Sequence, residues 1–204
     1  MATPLVAGCV AVLRETLVKN GVADPIAALL KALLINGAVE LIGQYSPSEA
    51  GTSPNNNSGF GRVNLAQSVI IPGIARDGGA GEGGPLEQGS EDTITVEIPA
   101  DGPRDNQSDA STAEAGTTSG VTLKVTLLWS DPPGSALQND LDLIVRVNGQ
   151  ERHGNMGTSN KFDRQNNVEQ VVWTNIPSGK VEIVIRAFRI ARFPQRYAYA
   201  WRIS

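Results

Sequence analysis

The hydrophobic residues of this chain change period partway along it, from a helical repeat to strict alternation, so one kind of secondary structure cannot account for the whole. From Thr3 to about Lys19 the pattern is helical and apolar on every side as far as Leu13, with Arg14, Glu15 and Lys19 only near its end. A helix apolar all round belongs inside something larger than itself. Asn20-Gly21 suits a helix stop, and Asp24-Pro25 offers an N-cap and a first-turn proline for a second helix running through Leu34. Gly59-Phe60-Gly61 marks a turn, and Val63 to Val69 reads as a short third helix. This half predicts helices but no sheet to cover them.

Farther on, the period is two. Thr93 to Ile98, Val121 to Trp129, Leu141 to Val147, Val168 to Thr174, Val181 to Phe188 and Tyr197 to Ile203 read as strands separated by Gly, Pro and Asn. Such a series makes an all-β module, a sandwich or jelly roll. The stretch between the two patterns is rich in glycine and in acidic or polar residues, including Gly78-Gly79-Ala80-Gly81-Glu82-Gly83-Gly84, which is linker composition. The predicted organisation is therefore a helical unit over 1–72, a linker over 73–92 and a β-sandwich over 93–204. Asp101 to Gly120, polar and of low complexity, is expected to be a long loop between two strands. Gly79 to Gly84 matches G-x-G-x-x-G, but no apolar strand leads into it and Pro85 stands where a helix should open, which argues against nucleotide binding.

A formal net charge of -4, with no basic run, lacks the electrostatic footprint of a nucleic-acid or anionic-membrane binder, and neither is an expected partner. The longest apolar runs stop short of a membrane span, and the first residues show no signal-peptide pattern. The single cysteine, Cys9, excludes an internal disulfide and sits where a small buried hydrophobe is the ordinary reading. Asn-x-Ser sequons at Asn56 and Asn106 suit a secreted protein.

Met1-Ala2-Thr3-Pro4 followed by Val6-Ala7-Gly8 resembles the stretch that follows the nucleophile in subtilisin-like serine proteases, whose motif is Gly-Thr-Ser-Met-Ala-Thr/Ser-Pro. In that family the serine would fall immediately before Met1, at the N-terminal end of a buried helix whose amides and dipole favour developing negative charge. The resemblance continues through Ala32-Leu33-Leu34-Ile35-Asn36-Gly37-Ala38 and Gly59-Phe60-Gly61-Arg62-Val63-Asn64-Leu65, which look like the helices closing the catalytic domain. Leu127-Leu128-Trp129-Ser130-Asp131-Pro132, Asn139-Asp140-Leu141-Asp142-Leu143 and Asn166-Asn167-Val168-Glu169 resemble the C-terminal jelly-roll, P-domain-like module of the larger calcium-binding alkaline subtilases. The fold implied is a helical C-terminal remnant of an α/β subtilisin-like catalytic domain followed by an all-β sandwich.

That resemblance implies a secreted parent endopeptidase acting on protein or peptide substrates. It assigns no catalytic residue to this chain, since the aspartate, histidine, serine and oxyanion asparagine of the family would all precede Met1. Gly51-Thr52-Ser53 is rejected as a nucleophile motif because Pro54 and a run of asparagines follow it. The sole histidine, His153, is expected to be a solvated loop residue. The alternative is a noncatalytic β module that binds a protein or glycan, with Trp129, Trp173 and Trp201 either forming an exposed sugar platform or packing in the core.

Asp140 and Asp142 lie two apart on one expected strand, so both point away from the face carrying Leu141 and Leu143, and their like charges need neutralising. A solvated strand face satisfies them. The resemblance to calcium-binding subtilases adds calcium as a second reading, with Asp140 and Asp142 as its ligands and Asp131, Asp163 and Glu169 as weaker candidates in neighbouring turns.

Overall fold

The computed structural model describes residues 2–43, 51, 53–71, 73–75, 77–100 and 120–204. Met1, Thr52, Pro72, the Asn106 sequon and all but the last residue of the expected 101–120 loop lie outside the described residues. Three helices, α1 (Ala2–Lys19), α2 (Ala27–Asn36) and α3 (Leu65–Ser68), precede eight strands: β1 (Gly78–Leu86), β2 (Glu91–Ile98), β3 (Leu123–Trp129), β4 (Asn139–Val147), β5 (Gln150–His153), β6 (Val168–Trp173), β7 (Gly179–Ile190) and β8 (Gln195–Ile203). The strands form two four-stranded antiparallel sheets, ordered β1-β8-β3-β6 and β2-β7-β4-β5. Their inner faces meet in a core that includes Leu123, Val125, Leu127 and Trp129 of β3, Leu141 and Leu143 of β4, and Ile183 of β7.

Helix α2 lies on the outer face of the β1-β8-β3-β6 sheet, and α1 packs against α2 and α3. Leu13, Leu17, Leu29 and Leu33 pack with Leu128, Val168, Ala198 and Ala200 in a second apolar cluster. The cause is the composition of β8, where Tyr197-Ala198-Tyr199-Ala200-Trp201 turns aromatic rings into the sandwich and alanines outward. A sheet apolar on both faces is covered on both, and two alanines let a helix approach closely. Asn36, buried at the end of α2, fastens the contact by donating its Nδ2 to the carbonyls of Lys124 and Ala200, each at 3.1 Å, and to Thr126 Oγ1 at 3.3 Å. The expectation that these helices lack a sheet is therefore corrected for α2, whereas α1 keeps exposed apolar residues such as Leu5 and Val12.

The start of α2 also differs from the expected one. Its N-cap position is Ile26, without a side-chain cap, and Asp24-Pro25 lies just ahead of it. The Ile26 amide instead donates to Glu82 Oε1 of β1 at 3.0 Å, so a carboxylate from the sheet does what a local cap would do. In α3 the cap is local: Asn64 accepts from the Gln67 amide.

The predicted linker over 73–92 contains β1 and the start of β2. In the register of β1 with β8, Gly79 faces Trp201, Gly81 faces Tyr199 and Gly83 faces Tyr197. A Cβ at any of the three would come closer than 3.0 Å to the opposing side chain. These glycines clear space for aromatic rings and do not signal a flexible tether. The alternate residues, Ala80 and Glu82, face the helices.

Candidate functional site

Strand β4 carries Leu141, Leu143 and Val145 into the sandwich and Asp140 and Asp142 to the opposite face. That face is not solvated. The loop joining β5 to β6 brings Phe162, Asp163 and Arg164 over it, and Asp140 and Asp142 are both buried. Register does the rest: Asp142 stands directly opposite Arg186 of β7. Asp142 Oδ2 accepts from Arg186 Nε at 2.9 Å and Nη2 at 2.6 Å, while its Oδ1 accepts from Arg164 Nη1. The same Arg164 nitrogen reaches Asp140 Oδ1 at 3.3 Å and the Asp163 carbonyl at 3.4 Å.

Two further acids complete the cluster. Asp163 accepts from the side-chain amides of Asn155 and Asn166, each at 2.7 Å, and from the backbone amides of Gln165 and Asn166 at 2.9 and 3.3 Å. Burial alone would raise its pKa, but these four donors outweigh it and hold Asp163 below the ordinary aspartate value. Glu169, on β6, accepts from the Leu143 amide at 2.6 Å, just beyond the stretch of β4 that pairs with β5. Burial pushes the Glu169 carboxyl well above the usual range; the Leu143 amide opposes that shift and the charges of Asp142, Asp163 and Asp140 reinforce it. Burial also raises Asp140, with Arg164 opposing and Asp142 adding. Asp140 Oδ2 and Glu169 Oε1 are buried without a hydrogen-bond partner among the described residues.

Of the five acids singled out in the sequence, four thus converge. Asp131 does not join them: it accepts from the Gln138 and Asn139 amides at 2.9 and 2.7 Å and shapes the turn into β4. Arg164 and Arg186 are the members that sequence reasoning misses. Nothing in their spacing marks them, because Arg186 reaches Asp142 through sheet register and Arg164 through a loop.

As a calcium site the arrangement fits poorly. Calcium takes six to eight oxygen ligands, whereas Asp142 and Asp163 have their oxygens engaged by guanidinium and amide donors. Among the described residues no group of three or more His, Cys, Asp or Glu side chains is arranged to hold a metal ion.

The expected solvated histidine is corrected as well. His153 ends β5 almost fully buried, with its ring nitrogens at 2.8 Å from the Lys161 carbonyl and from Glu151 Oε1, and its ring stacks on Phe162 at 4.0 Å. It supports the loop that carries Arg164. Trp129 and Trp173 are buried between the sheets and Trp201 packs against the same core, so the three rings make a core and not a sugar platform.

Glu169 makes stability fall as pH rises. Its folded pKa lies above the ordinary glutamate value of 4.5, so between those two values the folded protein holds a proton that the unfolded chain has released. Stability is then greatest below that window and falls as pH rises through it. A Glu169→Gln variant is expected to flatten this fall in urea-unfolding free energy as pH rises above 4.5; an unchanged slope would assign it to other groups.

No family model matches the chain. It is 27% identical over 257 aligned residues to a protein of Dictyostelium discoideum named serine protease/ABC transporter B family protein tagD, a match covering 98% of this chain and 14% of that protein. The chain is therefore similar, at low identity, to a small part of a protein with a protease-related name.

Proposed function

We propose that this chain is the C-terminal portion of a subtilisin-like serine endopeptidase whose triad lies upstream of residue 1, and that the β-sandwich braces the closing helices of its catalytic domain. The observation that carries this reading is α1. Its buried residues are Leu13 and Leu17, while Leu5 is 64% and Val12 48% exposed. Gly8 lies within the helix, where glycine costs about 1 kcal/mol relative to alanine, yet no described residue beyond its own helix backbone comes within 4 Å of where its Cβ would be. An apolar face of small residues, with Ala2, Thr3, Val6, Ala7 and Val10 along one depression, suits close packing against a sheet supplied by more of the same polypeptide. The protease-related name of the Dictyostelium relative supports the same assignment.

On this proposal the parent is secreted, cleaves proteins or peptides, and forms an acyl-enzyme through its serine. The present chain supplies no nucleophile or base and is inactive alone. Peptide mapping of the native protein, searched against the reading frame upstream of Met1, tests it. Peptides running through Gly-Thr-Ser into Met1 are expected. A mature N-terminus at Met1, with an intact mass of 21.5 kDa, would overturn the protease assignment.

A further inference from the structure

We infer that Arg164 is the resident counterion of the buried acidic cluster, its guanidinium standing where a divalent cation would otherwise be required, so that the β-sandwich is stable without calcium. A single cationic nitrogen, Nη1, lies among oxygens of three residues: Asp140 Oδ1, Asp142 Oδ1 and the Asp163 carbonyl. Converging oxygens from two carboxylates and a loop carbonyl are the donor types calcium uses, and here a guanidinium engages them.

The surroundings favour the guanidinium. Its carbon sits 3.7 Å from the centre of the Phe188 ring and 5.0 Å from that of Phe162, so aromatic faces flank it. Aromatic faces attract a weakly hydrated organic cation, but they offer no oxygen to a metal that needs six or more. Arg186 supplies the second positive charge, holding the other oxygen of Asp142 while lying 4.7 Å from the Phe162 ring centre. Asp163 is already saturated by amides. Of the cluster's carboxylate oxygens only Asp140 Oδ2 and Glu169 Oε1 are buried without a partner among the described residues, too few oxygens for a metal. The counterion role is independent of what lies upstream of residue 1.

Melting curves of the full chain, recorded in about 10 mM calcium and in excess chelator, test it. The wild type is expected to shift by less than about 1 °C. Arg164→Gln, which keeps much of the side-chain length and loses the charge, is expected to melt about 3 °C or more below wild type in chelator and in calcium alike. Terbium luminescence gives a separate binding readout, expected to be absent for the wild type. A wild-type melting point that rises by several degrees in calcium would overturn the inference, as would an Arg164→Gln variant as stable as wild type in chelator. Should that variant fail to fold, Arg164→Lys, which keeps the charge, is expected to retain a cooperative melting transition in chelator, and its failure to do so would overturn the counterion role.

Discussion

Asp142→Asn is expected to destabilise the protein by about 3 kcal/mol, at the lower end of what breaking a buried ion pair costs. Asp142 is fully buried, and both of its oxygens accept from guanidinium groups. Asparagine offers one acceptor oxygen in place of two and turns an N–H toward a group that is itself a donor. It also leaves Arg164 and Arg186, two positive charges, close together without the anion between them. Their side chains are 34% and 29% exposed, so water takes up part of that charge, which keeps the expected cost from the top of the range. The measurement is the urea midpoint at unchanged slope. A loss smaller than about 1 kcal/mol would mean that the arginines satisfy each carboxylate separately and that Asp142 is not their common anchor.

The strands of period two were legible because their alternation reflects burial: Leu123, Val125, Leu127 and Trp129 face the sandwich core as alternation requires. The relation of Asp140 to Asp142 was legible for the same reason. What neutralises them was not, since the Asp142 to Arg186 pairing depends on which residues of β4 and β7 face each other. Strand β5 is only four residues long, too short to display a period, and with it went the burial of His153. Docking of α2 was hidden in Ala198 and Ala200, whose small size reads as neutral in a strand but determines which face a helix can approach. The glycine-rich segment failed differently: composition was a sound guide to flexibility only while the aromatic strand that pairs with it, far along the sequence, was out of view.

That last difference yields a test with opposite signs. If residues 78–84 were a tether, or an exposed strand, Gly83→Val would be neutral or would stabilise by up to about 1 kcal/mol through β propensity and reduced chain entropy. In the observed register it is expected to destabilise by about 2–3 kcal/mol, the upper part of the range for forcing extra atoms into a packed site. A Cβ at Gly83 meets the Tyr197 ring and hydroxyl at less than 3.0 Å. Tyr197 cannot swing aside cheaply: it is buried, and its hydroxyl donates to Asp92 Oδ2 at 2.8 Å. Moving the ring would break that bond and disturb the core between the sheets. Gly8→Ala is the control, because no described residue beyond its chain neighbours and own helix backbone comes within 4 Å of the added Cβ, and the change should stabilise α1 by about 1 kcal/mol in the isolated chain. Urea unfolding of both variants separates the outcomes, and a Gly83→Val protein as stable as wild type would remove the pairing of β1 with β8.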